Sequence, residues 1–241
     1  MHKVERAIIL AAGMGKRMNP ITLQTPKPLV KVNGVRMIDT AIRGLHYNGI
    51  TEIYIVVGYL KEQFQELLKE YSGITLIENP FYATCNNISS LYVARDFLEN
   101  AIILDGDQIV RIEGVLKPEF RRSGYNSVWI SGKTNEWLQM VEDDKVTSCS
   151  REGGEKGWQL YSISRWTAED GRKLKKHLEF EFEQKHQTQI YWDDVVMFCH
   201  FDEYQLGIFE MQSDDVIEID SLEELVCMDK SYEKYIEKRL K

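Results

Sequence analysis

Short apolar runs alternate with amphipathic stretches along the first part of the chain. Residues 6–12 form an apolar run as long as one buried strand. In residues 36–48, Met37, Ile38, Ala41, Ile42 and Leu45 recur at helical spacing, and Gly49 stops the pattern. Residues 53–57 (Ile-Tyr-Ile-Val-Val) predict a second strand. Residues 60–71 predict a helix with Leu60, Phe64, Leu67 and Leu68 facing inward, and Gly73 follows it. Residues 74–77 predict a third strand, 87–98 a helix and 101–104 a fourth strand. Strands and helices alternating in this way imply an α/β fold, with a mostly parallel sheet covered on both faces.

The regularity then decays. Residues 127–131, 137–141 and 158–163 are short β-like runs that predict an added antiparallel portion over one side of the site. Residues 168–186 look helical, and strands are expected near 206–211 and 216–219. A long helix is expected over 221–240, because Ser221 and Glu224 have capping-box spacing. No internal repeat, low-complexity tract or flexible linker interrupts the chain, so residues 1–241 are expected to form a single domain.

Apolar residues make up 43% of 241 positions, enough for a packed core. No apolar run reaches the roughly 18 residues of a membrane span, so no membrane insertion is expected. The first six residues are polar and lead straight into a strand, which predicts a cytoplasmic chain. Cys85, Cys149, Cys199 and Cys227 are scattered and read as reduced thiols. His2, His46, His177, His186 and His200 show no triad or metal spacing. The net charge of −8 argues against a nucleic-acid partner. That charge is uneven: residues 1–36 hold seven cations and one acid, whereas residues 201–224 hold nine acids and no Lys or Arg. A basic end suits phosphates; an acidic end suits a metal or a cationic substrate; both also fit solvated surface.

The most informative chemistry follows the first strand. Gly13 and Gly15 let the backbone approach an anion, and the N–H groups there can form a nest. Lys16 and Arg17 follow at once, and Lys27 is held between Pro26 and Pro28. This arrangement points to a nucleoside triphosphate. It is not the dinucleotide fingerprint, which fails at Met18 and lacks an acid at Gly58, and it lacks the P-loop spacing. A Gly-x-Gly turn also occurs where no phosphate binds, and Arg17 or Lys27 alone fits a surface cation. Asp107 follows the fourth strand, at the carboxyl edge where α/β sheets bind ligands, and Asp220 closes the tail strand. Two carboxylates with phosphate oxygens and water suit Mg²⁺.

Leu10-Ala-Ala-Gly-Met-Gly-Lys-Arg17 with Pro26-Lys-Pro-Leu29 resembles the signature of the sugar-phosphate and choline-phosphate nucleotidyltransferases, with Lys16 where that family carries Ser or Thr. Val56-Val-Gly-Tyr59 fits the same pattern. Tyr82-Ala-Thr-Cys-Asn-Asn-Ile-Ser-Ser-Leu91, Asp105-Gly-Asp107, Asn135-Glu-Trp137, Tyr191-Trp-Asp193 and Glu218-Ile-Asp-Ser221 resemble the bacterial choline-phosphate cytidylyltransferases of the LicC type. The resemblance implies a Rossmann-like three-layer nucleotidyltransferase fold. Its nucleotide-binding part covers about 1–110 and its acceptor-binding part about 111–220. It also implies Mg²⁺-dependent transfer of CMP from CTP to phosphocholine, giving CDP-choline and pyrophosphate.

The roles it implies are specific. Arg17, Lys27 and Asp107 are catalytic, and Asp107 and Asp220 hold the metal, with Asp105 either sharing it or bracing the turn. Leu10, Ala11, Ala12, Gly13, Gly15, Lys16, Arg17, Lys27, Asn79, Asn87 and Ser89 bind the nucleotide. Trp137, Tyr191, Asp193 and Glu218 form the choline cage, with Trp192 turned to the core. The rival acceptors are phosphoethanolamine, 2-aminoethylphosphonate and a sugar 1-phosphate. A non-catalytic nucleotide-binding protein is the rival of another class. The oligomeric state is left open.

Overall fold

The computed structural model describes residues 1–239. Strand β1 (Arg6–Ala11) lies between two parallel neighbours, so an unbroken apolar run is what its position demands. One neighbour is β2 (Glu52–Val57), which pairs in parallel with the edge strand β3 (Ile74–Glu78). The other is β4 (Ala101–Asp105). A two-residue turn leads from β4 into the short β5 (Gln108–Val110).

The sheet then becomes mixed. Of the strands β6 (Gly124–Thr134), β7 (Leu138–Glu142), β8 (Lys145–Ser150) and β9 (Gly154–Trp166), β6 pairs antiparallel with β9, and β7 pairs antiparallel with both β8 and β9. One edge of β9 meets β6, while its other edge meets β7 near Trp158 and β4 near Ser164. β10 (Gly207–Glu210) adds in parallel to β6. The main order is β8-β7-β9-β4-β1-β2-β3. Apart from this sheet, β11 (Val216–Glu218) pairs with β5, antiparallel.

Alternate residues of β1 feed two cores, as the pleat requires. Ala7, Ile9 and Ala11 pack with Ile38, Ile42 and Leu45 of α1 (Met37–Tyr47). Ile8 and Leu10 pack with Leu91 of α2 (Ile88–Val93), with Leu174 and Leu178 of α3 (Ala168–Glu179), and with Trp166 and Trp192. A third cluster joins Met18 and Met37 to Leu222 and Leu225 of α4 (Leu222–Met228), tying the tail to the glycine loop. The Ser221–Glu224 capping box is formed.

Four helical expectations change. Residues 60–71 form a 3₁₀ segment, Lys61–Glu66, and a single α turn, Leu67–Glu70. Leu60 sits at φ 49° and Leu68 is exposed, so only Phe64 and Leu67 face inward. These two are three apart, the spacing that a 3₁₀ helix eclipses. The helix expected over 87–98 ends at Val93, before a 3₁₀ turn at Arg95–Phe97. The helix expected over 168–186 gives way after Glu179 to a π-helical turn, Phe180–Gln184. The C-terminal helix breaks at Asp229, whose carboxylate accepts from Asn33 N at 2.8 Å and from Ser231 N at 3.0 Å; helix α5 (Glu233–Arg239) resumes beyond it. Residue 240, at the end of the expected helix, lies outside the described residues. Among the described residues no helix is long and apolar enough to cross a membrane, and all four cysteines are free.

Candidate active site

The loop after β1 is built around Gly15, at φ 59°. A Cβ at this position would lie 3.0 Å from both Lys27 Cβ and Thr22 Cγ2, so glycine is required by conformation and by space. Thr22 Oγ1 donates to the Gly15 carbonyl at 2.8 Å. Lys16–Met18 form one 3₁₀ turn, and Met18 is fully buried. The residue that departs from the dinucleotide fingerprint is therefore the loop's anchor in the third core.

Lys27 projects from this loop into a group of acids. Its Nζ lies 2.5 Å from Asp107 Oδ2 and 2.7 Å from Asp220 Oδ1. Arg17 Nη2 donates to the same Asp220 oxygen at 2.7 Å. The β5–β11 pairing sets Gln108 opposite Glu218, and this register gathers Asp107, Glu218 and Asp220. One carboxylate oxygen from each lies within 4.8 Å of the others. Burial pushes the Lys27 pKa down, but Asp107 and Asp220 outweigh it and leave it raised, so the ammonium stays charged. Asp105 titrates well above the carboxylate range, first through burial and then through the negative charge of Asp107 and Asp193. Glu218 opens to the cavity yet is walled in on most sides. Burial and the neighbouring Asp107, Asp105 and Asp220 raise its pKa well above the ordinary value. The cluster thus has more carboxylates than cations. An all-oxygen donor set of this kind fits Mg²⁺.

These groups line a cavity of about 590 Å³, the size of a small-ligand site. Leu10, Ala11, Ala12, Gly13, Gly15, Lys16, Arg17, Lys27, Asn79, Asn87 and Ser89 are on its wall. Asp107, Tyr191, Glu218 and Asp220 are there too. Three of the polar residues already have protein partners. Asn79 donates to Ser89 Oγ at 3.0 Å and Ser90 Oγ at 3.1 Å, and its oxygen accepts from Phe81 N at 2.9 Å. Asn87 does not cap its own helix; its Oδ1 accepts from Trp192 N at 2.9 Å, joining α2 to the 191–194 turn.

Two residues of the expected cage are not on the cavity wall. Asp193 is 5% exposed and sits beside the buried Tyr125 hydroxyl; burial raises its pKa to about 7, with Tyr125 opposing and Asp194 adding to the rise. The cause is local: residues 192–194 form one helical turn rather than an extended segment, and this turns Asp193 inward. Trp137 packs edge-to-face on Tyr191, centroids 6.1 Å apart, and on Phe198 at 5.2 Å. It backs the exposed Tyr191 ring. Trp192 is fully buried and stacks on Tyr125.

Tyr82 and Gln189 also line the cavity but were not expected to. The sequence signal for Tyr82 is its place at the head of the Tyr82–Leu91 run; in the structure Gly58 makes room for it, since a Cβ there would meet its ring at 2.8 Å. Gln189 carries no sequence signal. It donates to Thr84 O at 2.8 Å, while Asn86 N donates to Thr188 O at 2.8 Å, so two loops close one side of the cavity together.

Comparison with known proteins agrees with this fold. Residues 6–119 match the family model described as Nucleotidyl transferase. The chain is 38% identical to the 2-aminoethylphosphonate cytidylyltransferase of Lancefieldella rimae, over 94% of this chain and 92% of that protein. It is 35% identical to the choline-phosphate cytidylyltransferase of Streptococcus pneumoniae, over 91% of this chain and 94% of the relative. The solved structure of the CTP:phosphocholine cytidylyltransferase LicC from Streptococcus pneumoniae superposes with a TM-score of 0.86 at 34% identity. That match covers 99% of this chain and 100% of the other. The chain belongs to the nucleotidyl transferase family, among its cytidylyltransferases.

Proposed function

We propose that the enzyme transfers CMP from CTP to a small acceptor with a phosphate or phosphonate at one end and an ammonium at the other. The observation that supports this is the shared cavity: the Gly13–Gly15 loop and Lys27 line the same space as Tyr191 and the carboxylates of Asp107, Glu218 and Asp220. An acceptor oxygen attacks the α-phosphorus in line. The bond from that phosphorus to the bridging β-oxygen breaks, and pyrophosphate leaves. The attacking group is ionised at neutral pH, so no general base is required. Arg17 and Lys27 take up charge on the leaving phosphates, and the loop backbone fixes their position. Asp107 and Asp220, with Glu218 close by, would hold Mg²⁺, which supplies further positive charge for the triphosphate.

Phosphocholine is the first reading for the acceptor. Tyr191 offers an exposed ring backed at a right angle by Trp137, and a quaternary ammonium is held by aromatic faces. A second reading, 2-aminoethylphosphonate, is favoured by the cavity wall, where Tyr191 is the one ring of the expected pair and Asp105, Asp107, Glu218 and Asp220 supply carboxylate oxygens. A primary ammonium needs those acceptors.

Pyrophosphate release, measured for four nucleoside triphosphates against phosphocholine, phosphoethanolamine, 2-aminoethylphosphonate and glucose 1-phosphate, tests this reading. CTP with phosphocholine should give the highest kcat/KM. CTP with 2-aminoethylphosphonate as the best pair would support the second reading. Preference for glucose 1-phosphate would overturn both.

A further inference from the structure

A second group of ligating side chains lies apart from the cavity, at the C-terminal end of α3. His177 comes from the last turn of that helix. His200 and Glu203 follow the π-helical turn Val195–Cys199, which continues from the turn bearing Tyr191 and Asp193. The two imidazoles stack with centroids 3.8 Å apart and planes 7° apart. Both present a nitrogen to one carboxylate: His177 Nε2 is 3.2 Å from Glu203 Oε2, and His200 Nδ1 is 3.3 Å from Glu203 Oε1. One ligand atom from each of the three residues lies within 4.8 Å of the others.

The remaining ring nitrogens are tied down as metal-ligating histidines require. His177 Nδ1 lies 2.8 Å from the Tyr204 hydroxyl, and His200 Nε2 lies 2.9 Å from Glu181 Oε1. Glu181 is fully buried, and its second oxygen, Oε2, has no hydrogen-bond partner. Its first oxygen is shared between His200 and Lys185 Nζ, the latter at 3.0 Å. A buried carboxylate this lightly compensated gains from a further positive charge nearby.

We infer that His177, His200 and Glu203 form a binding site for a borderline transition-metal cation such as Zn²⁺, separate from the site of Asp107 and Asp220. Two imidazoles and a carboxylate are the donors such an ion takes, with a water as fourth ligand, and they are poor ligands for Mg²⁺. Glu181 orients His200 from behind. Occupancy clamps the end of α3 to the segment that carries Tyr191 and Asp193, which braces the acceptor side of the cavity.

Calorimetric titration of Zn²⁺ into untagged, chelator-treated full-length protein, with millimolar Mg²⁺ present throughout, tests the site. Wild type should take up one Zn²⁺ per chain, and Co²⁺ in its place should give visible absorption bands. His200→Gln and Glu203→Gln should each weaken Zn²⁺ binding at least tenfold, and Glu181→Gln roughly 10- to 100-fold. Asp107→Asn should leave it unchanged. Glu203 is 55% exposed, so its substitution keeps the fold even if the histidine variant does not. Lack of saturable Zn²⁺ uptake by wild type would overturn the site. So would undiminished uptake by Glu203→Gln, or loss of uptake in Asp107→Asn.

Discussion

Lys27 Nζ lies 2.7 Å from Asp220 Oδ1, a bond that joins the phosphate loop to the far end of the chain, 193 residues away. Lys27 also holds Asp107, so a single ammonium offsets carboxylates from two separate segments. With Arg17, which bonds the same Asp220 oxygen, it is a counter-charge of the acid cluster in the free enzyme, and it is a charge donor to the leaving phosphates in the reaction. Lys27→Gln should therefore lose kcat by roughly 100- to 1000-fold. It should also lower unfolding free energy at pH 7 by about 1–3 kcal/mol, because the half-buried Asp107 loses its cation and Asp220 keeps only Arg17. Steady-state kinetics with urea unfolding checks both; unchanged stability would mean that the pair is solvated.

Gly15→Ala tests the loop without altering charge. The left-handed backbone at this position costs an alanine roughly 1–2 kcal/mol, and the new methyl group presses on Lys27 and Thr22. KM for CTP should rise several-fold while KM for the acceptor stays close to wild type. Equal rises in both would show that the loop serves the whole cavity rather than the triphosphate.

The two aromatic residues on the acceptor side should differ. Tyr191 is exposed on the cavity wall, so Tyr191→Leu should raise KM for phosphocholine by the equivalent of roughly 0.5–2 kcal/mol and leave KM for CTP almost unchanged. Trp137 acts through Tyr191 and Phe198. Trp137→Ala should raise KM for phosphocholine more than KM for CTP, with some loss of stability. Equal effects on the two substrates would make Trp137 a core residue only.

Asp193 gives a signed pH effect. Its pKa rises from 3.8 to about 7 on folding, so the folded state favours the protonated acid. The stability this contributes is fully present below the ordinary carboxylate range and is lost as pH rises through about 7. Asp193→Asn should match wild type near pH 4 and be the more stable of the two at pH 8, by roughly 1–4 kcal/mol. Chemical denaturation at the two pH values checks this. A constant difference between the proteins at both would place Asp193 in contact with water.

Much of this architecture was legible in local pattern. Parallel strands buried on both faces must be apolar runs, and β1, β2 and β4 announce themselves in that way. The loop of Gly13, Gly15 and Lys27 was legible because few backbones need two glycines before cations. The 3₁₀ segment after Leu60 was not, since apolar residues three and four apart suit either helix. The break at Asp229 depends on Asn33, a partner distant in sequence. The inward turn of Asp193 depends on a helical turn that its neighbours do not signal. His177, His200 and Glu203 carry no motif spacing because His177 comes from the end of α3, while His200 and Glu203 come from the segment after a later π-helical turn, Val195–Cys199.

Phosphorus-31 NMR of the enzyme with CTP, Mg²⁺ and an equimolar mixture of phosphocholine, 2-aminoethylphosphonate and glucose 1-phosphate tests the assigned chemistry most directly. The triphosphate signals should give way to pyrophosphate and to one new cytidylyl product, formed from an ammonium-bearing acceptor, with phosphocholine consumed first. Consumption of glucose 1-phosphate ahead of both ammonium acceptors, or no transfer to any of the three, would contradict it.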